Sequence, residues 1–386
     1  MGILVGVAGC ILILVVLWDA FETIILPRRV SRKIRLTRLF YLGSWRLISG
    51  VARRLHPGKL RERILGFFGP LSLLMLFVIW GIGLIVGFAM IHLAIGSKIN
   101  PGGAVPGFRT DIYYSGTTFF TLGLGDISPQ TPAARAVTVL EAGMGFGFLA
   151  IVIGYLPVIY QAFSKRETNI SLLDARAGSP PSATELLARH SRDRSMGALN
   201  EFLREWERWS AELLESHLSY PVLVYFRSQH ENQSWLAALT TVLDTCALMI
   251  VGTESGNVWQ AKMTFAMARH ALVDLAQVFN TPPRAPTSDR LSAQTLKQVR
   301  ETLATAGLLL RDGAEADLKL AELRRMYEPY VNSMAQFLFM TLPPWMHQTN
   351  AMDNWQTSAW ERNPMVFASS PAEEISPDYS NEAFLD

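Results

Sequence analysis

Thr121-Leu122-Gly123-Leu124-Gly125-Asp126 is the stretch on which the reading of this chain turns. Small or glycine residues stand at alternate positions, 121, 123 and 125. Glycine reaches backbone conformations closed to other residues. A strand that alternates in this way can turn successive carbonyl oxygens to one side. Four copies around an axis would form rings of carbonyls, able to replace the hydration shell of a monovalent cation. Residues 111–120 just before it can form a short helix, and Ile127-Ser128-Pro129 follow it. Irregular backbone is tolerated at membrane depth only where it lines a water-filled path or is buried in protein.

The flanks supply the membrane. Three segments are long and apolar enough to span a hydrocarbon core, which takes about 20 residues. They run from about Ile3 to Leu26, from about Ile64 to Ile95 and from about Ala133 to Phe163. Composition agrees: of 386 residues 49% are hydrophobic and 18% charged, against about 25% charged in soluble domains. The N-terminus lacks a basic leader region, which predicts a retained helix rather than a cleaved signal peptide. Two cysteines, Cys10 and Cys246, exclude a disulfide scaffold and a zinc site built mainly from thiolates.

The net charge of +2 hides an uneven distribution. Arg28 to Arg63 carry twelve Lys/Arg against one acid, Glu62, a net of +11, whereas residues 165–386 carry 20 basic and 27 acidic residues, a net of −7. By the positive-inside rule the basic block is cytoplasmic, the N-terminus outside, and the C-terminal half cytoplasmic. Within the block Val30, Ile34, Thr37, Tyr41, Trp45, Ile48, Ala52 and Leu55 recur at helical spacing, with Arg32, Arg35, Arg38, Arg46 and Arg53 opposite. That pattern predicts a helix lying on anionic lipid headgroups. A voltage sensor is the rival reading, because Arg29, Arg32, Arg35 and Arg38 stand three apart. Ser31, Lys33 and Thr37 interrupt the apolar spacing a sensor would need to cross the field. Asp19 and Glu22, near the cytoplasmic end of the first span, are expected to pair with Arg28 or Arg29, a role in permeation being the alternative.

With the span, short helix, glycine strand and span in order, residues from about 64 to 164 resemble the potassium channel pore family, whose signature is Thr-x-Gly-Tyr/Phe-Gly-Asp. Thr-Leu-Gly-Leu-Gly-Asp is most similar to the variant with Leu for the aromatic, seen in second pore loops of tandem-pore channels. The resemblance implies an ion-binding filter at Thr121, Leu122, Gly123 and Leu124, with Gly125 shaping the outer mouth. It implies that Asp126 sits behind the filter and bonds to the pore helix, a plain turn residue before Ser128-Pro129 being the alternative. Tyr113 and Tyr114 stand where aromatics pack around the filter, and Thr117 where some members carry an acid. Leu124 keeps a weakly selective cation channel in view. One pore loop per chain implies a homotetramer. The permeant K+ is then the only ion involved, and no other cofactor and no nucleic-acid partner are expected.

In the third span Gly145 and Pro157 are candidates for a gate or hinge; the alternative for its glycines is close helix packing. Beyond it, Gly178-Ser179-Pro180-Pro181 reads as a linker. Helical patterns follow at roughly 182–217, 231–251, 255–279, 290–311 and 315–340. The predicted fold class is thus an all-α membrane protein. Its divisions are an N-terminal transmembrane helix (1–27), a basic linker (28–63), a pore domain (64–164), a linker (165–181), a cytosolic helical domain (182–344) and a partly disordered tail (345–386). The string from Ser219 to Trp235 is a ligand pocket, a contact to the pore, or a capped helix start with a buried Trp. His217, His230 and His270 lack metal-ligand spacing. No nucleophile–base pair, phosphate loop or metal cluster points to an enzyme. The expected function is a potassium-selective channel subunit of the plasma (inner) membrane. A membrane-anchored sensor or scaffold with a silent pore is the alternative of a different class, and a cytosolic ligand remains open.

Overall fold

The computed structural model describes residues 2–26, 35–96, 99–100, 107–192, 196–228, 232–252, 258–286 and 288–346. Apart from two strands of two residues each, the regular elements among them are helical.

α1 (Gly2–Ala20) carries no charge before Asp19, and its last turn widens over Phe21–Ile25. It packs along α3 (Lys59–Ile95). A Cβ on Gly9 would lie 2.6 Å from the Gly87 carbonyl oxygen, and one on Gly87 would lie 2.6 Å from Ile13. The two helices thus approach to a separation that only glycine allows, the small-residue packing of membrane helices. The first span therefore docks on the second span of its own chain. α3 stops at Gly96, a left-handed residue (φ 57°).

Between them α2 (Leu36–Arg54) departs from expectation. Its apolar stripe meets protein, not lipid. The Trp45 ring lies 5.0 Å from Phe68 and 4.7 Å from Tyr225, and Tyr41 stacks on Tyr225 at 5.9 Å. The face left open is a mixture: Leu39, Leu42, Leu47 and Val51 with Arg46, Arg53 and Arg54. Periodicity identified the buried face correctly but could not say which apolar medium it met. Asp19, buried, fastens the start of this helix. Its carboxylate accepts from the Thr37 amide (3.0 Å) and hydroxyl (2.5 Å) and from the Trp80 indole (3.0 Å). An acid at a helix N-terminus also meets the positive end of the helix dipole. Glu22 accepts from the Trp18 indole at 2.8 Å and pairs with Arg35 at 3.4 Å. Arg28, Arg29 and Arg32, offered as partners or sensor charges, lie outside the described residues.

α4 (Phe108–Phe119) precedes the glycine strand, and β1 (Ile99–Asn100) pairs antiparallel with β2 (Ser128–Pro129) beside it. α5 (Pro132–Ala177) begins at a Thr131 cap whose hydroxyl accepts from the Ala134 amide at 3.1 Å, with Pro132 in the first turn. It then runs unbroken through Pro157 for 46 residues, about 69 Å at 1.5 Å per residue. The stretch read as a linker is thus helix to Ala177. The Gly178–Pro181 corner after it is buried, the Pro181 carbonyl accepting from the Thr241 hydroxyl at 3.3 Å.

The C-terminal half comprises α6 (Ala183–Arg192), α7 (Met196–Ser219), a 3-10 turn (Pro221–Tyr225), α8 (Trp235–Gly252), α9 (Trp259–Val278), α10 (Ala293–Thr305), α11 (Ala314–Arg325) and α12 (Glu328–Leu338). The run expected at 315–340 breaks before Pro329, which starts α12, because proline lacks the amide that would continue α11. α8 is a fourth helix long and apolar enough to cross a membrane, yet 94% of its window is buried by the surrounding helices. It is the spine of the C-terminal core. Trp345, placed by sequence in the tail, is buried, and its carbonyl accepts from the Thr184 hydroxyl at 2.6 Å. Residues 347–386 lie outside the described residues.

Candidate functional site

Thr121, Gly123 and Gly125 have φ of 56°, 59° and 76°, whereas Leu122 and Leu124 are not left-handed. The backbone therefore changes hand at every residue, which turns successive peptide groups toward a common side. Gly123 and Gly125 adopt this conformation without steric cost. Thr121 is β-branched and does not, a strain of about 1–3 kcal/mol of the kind that clusters at functional sites. The last turn of α4 holds the start of the loop: the Thr121 amide donates to the Thr118 carbonyl (3.0 Å), and the Leu122 amide to the Thr117 carbonyl (2.8 Å). The Thr117 hydroxyl donates to the Tyr114 carbonyl at 2.9 Å. At the other end Asp126 accepts from the Tyr113 hydroxyl of α4 at 2.9 Å and from the Ile127 amide at 3.0 Å. Leu122 and Leu124 are 62% and 61% exposed in the single chain.

α5 braces α4 from behind. The Tyr114 hydroxyl bonds to Thr138 at 2.7 Å, and a Cβ on Gly145 would stand 2.0 Å from the Phe119 carbonyl oxygen. Gly145 is thus a point of direct contact between α5 and the end of the pore helix. Pro157, twelve residues on, lies inside α5. Between Thr138 and Gly145 lies a group that the sequence reading missed. Glu141, fully buried, accepts from the Ser115 hydroxyl of α4 and bonds to His92 Nε2 of α3 at 3.2 Å. An ionisable residue inside a span is a functional signal by default. That rule was applied to Asp19 and Glu22, and applied to Glu141 and His92 it would have found this cluster.

The other face of α5 is open. Phe146 and Ile153 are about 70% exposed, and Gly143, Gly147 and Gly154 have nothing within 4 Å of a Cβ.

The string from Ser219 onward is a contact to the pore. Arg166, on the C-terminal extension of α5 and buried, donates to the Leu223 and Phe226 carbonyls at 2.9 and 2.8 Å. His217 Nε2 accepts from the same guanidinium at 3.2 Å, while its Nδ1 donates to the Leu213 carbonyl at 2.8 Å. Burial, and then the Arg166 charge, push this imidazole well below its ordinary range, which keeps it neutral and able to accept. Phe226 rests on Gly69 of α3, where a Cβ would come within 2.7 Å of its ring. Trp235 is buried at the start of α8 as well.

Deeper in the C-terminal half, Asp244 of α8 pairs with Arg290 at 2.7 Å and accepts from the Tyr327 hydroxyl. Arg290 and Arg324 both lie over the Trp345 ring. Burial pushes the Asp244 carboxyl and the Tyr327 phenol up. Every charge in this network is answered within the domain. Among the described residues no group of His, Cys, Asp and Glu could hold a metal ion.

Two apolar helices flanking a short helix and a backbone loop of alternating hand define a channel-type pore domain within a membrane protein of several spans. Residues 75–161 match the family described as Ion channel. The chain is 25% identical over 185 residues to the Uncharacterized membrane protein YdjJ of Bacillus subtilis (strain 168), a match covering 47% of this chain and 53% of that one. The chain thus spans about half the length of that curated relative. No solved structure matches it.

Proposed function

We propose that the protein is a potassium-selective channel subunit, acting as a homotetramer in the cell's inner membrane, with its helical C-terminal half in the cytoplasm and its N-terminus outside. The observation that carries this reading is the alternation of backbone hand at Thr121, Gly123 and Gly125 between two spans. A loop that turns its carbonyls to one side supplies one quarter of each oxygen ring, so the site is incomplete until four copies meet. The open glycine-bearing face of α5 and the exposed Leu122 and Leu124 are the surfaces those copies would cover. Permeation is passive. The mixed Leu and Arg face of α2 suits an anionic leaflet, the Arg heads reaching phosphate while the leucines enter the acyl boundary.

The test is a reversal potential in planar bilayers with K+ on one side and Na+ on the other, beside Gly123→Ala. A side chain at φ 59° is disfavoured, so the variant loses its current. Reversal near the K+ equilibrium potential supports the selective pore. Reversal near zero with variant-sensitive current means a weakly selective pore, with Leu124 as the residue to exchange for an aromatic.

A further inference from the structure

α5 presents three successive positions to the pore helix, Thr138, Glu141 and Gly145, spaced three and four residues apart on one helix face. Thr138 takes the Tyr114 hydroxyl, Glu141 takes Ser115, and Gly145 receives the Phe119 carbonyl. The middle position is chemically different from its neighbours. It is a carboxyl with no exposure, inside a span, where an ionisable side chain is costly and an apolar one is not. What a side chain with two polar atoms at its end achieves there is to hold two other helices at once. One oxygen receives Ser115 of α4, and the other lies 3.2 Å from His92 of α3. The Ser115 hydroxyl also reaches the Ile85 carbonyl of α3 at 2.8 Å, and the His92 ring stands edge-on to Tyr114 at 5.2 Å. All three side chains are buried, so water cannot substitute for a lost partner.

The pore helix passes this constraint directly to the loop. Its last turn holds the Thr121 and Leu122 amides. A displacement of α4 therefore displaces the first carbonyls of the strand, and a site about 1 Å too loose loses its discrimination. We propose that Glu141 is a positioning residue for ion selectivity. Bridging His92 and Ser115, it sets the pore helix against α3 and α5 and so fixes the oxygen rings begun by Thr121. This inference rests on the reading of 121–126 as an ion filter.

The experiment uses the full-length protein and two readouts: the K+/Na+ reversal potential in planar bilayers, and thermal melting in detergent with K+ or Na+ as the only cation. Glu141→Leu removes both hydrogen bonds at similar volume. Ser115→Ala removes a single hydroxyl and decides the matter if the leucine variant does not assemble. Glu141→Gln keeps one acceptor and supplies one donor, and is the rescue. Glu141→Leu is expected to lower the K+/Na+ permeability ratio about tenfold, the scale of one buried hydrogen bond, and Ser115→Ala about threefold. Both variants should shrink the extra stabilisation given by K+ over Na+, while Glu141→Gln restores most of both quantities. Unchanged reversal and unchanged K+ preference in Glu141→Leu and Ser115→Ala overturn the proposal, even if yield falls. A glutamine variant as defective as the leucine one overturns it too. A wild-type protein without K+ preference in either readout overturns the filter reading itself. Wild-type preference with unaffected variants sinks only the role of Glu141. If the wild type passes no current, the melting comparison alone decides.

Discussion

α5 and α8 are both apolar enough to cross a membrane, and each carries one fully buried acid, yet their surroundings are opposite. The apolar window of α8 is 94% buried by its own chain, that of α5 only 11%. Asp244 on α8 is answered by Arg290 and Tyr327 of the same domain. Glu141 on α5 is answered on one side only, toward α3 and α4, and the opposite face of the helix meets nothing. Apolar character says that a helix will be covered. It does not say whether the cover is its own domain, lipid or another copy of the chain.

Four measurements would break or sharpen that contrast, taken from the largest expected effect down. Asp244→Ala leaves Arg290 buried without its main counter-charge, and should cost the C-terminal half about 4 kcal/mol. Thermal melts of the solubilised protein should show this half unfolding earlier, with the pore half unmoved; a common shift of both would mean that the two halves are one cooperative unit. Gly145→Ala drives a methyl into the Phe119 carbonyl, and should destabilise the pore half by about 3 kcal/mol. An unaltered melt would mean that α4 can slide away from α5 freely. Next come paired substitutions on the two helices. Ala247→Leu, in the closed core around α8, should cost about 2 kcal/mol. Ile153→Ser, on the open face of α5, should change protomer stability by no more than about 0.5 kcal/mol but lower the assembled fraction in light scattering. Equal effects of the two changes on melting would erase the distinction between the helices.

The smallest effect concerns pH. Partial burial pushes the Asp289 carboxyl up, but the Arg324 hydrogen bond, the Leu291 amide and the nearby guanidinium charges outweigh it and hold the group below its ordinary range. A depressed carboxyl adds stability above its unfolded value, about pH 4, and that contribution is lost as pH falls through the folded value. Asp289→Asn should therefore lower stability slightly at neutral pH, with the difference from wild type closing as pH falls below about 4, so that the acid limb of the melting profile flattens.

Much of the pore was legible because its elements are local. The glycine alternation at 121–125, the short helix before it and the apolar runs on either side are neighbours in sequence. What stayed hidden depends on contacts between distant residues. Glu141 meets Ser115 and His92 across 26 and 49 positions, and Arg166 meets Phe226 across 60. The stripe on α2 was read as lipid-facing because Tyr225 and Phe68, which cover it, have no signature in that segment. The polar residues after Trp345 outweigh a single aromatic in the sequence, and its place under Arg290 and Arg324 is visible only in the fold. The 165–181 linker was inferred from Gly and Pro, which mark a corner whether it is loose or packed.

α5 leaves no slack between the pore helix it braces and the 3-10 turn it grips. The same unbroken rod touches Phe119 at Gly145 and holds Leu223 and Phe226 at Arg166. A rotation of α5 at one end is therefore carried to the contacts at the other. A small molecule taken up by the C-terminal half would move the pore only by the ratio of its affinities for two arrangements of α5, and equal affinity, however tight, would move nothing. The linkage is reciprocal: ions that favour one arrangement of the pore would alter the affinity of the C-terminal half by the same factor.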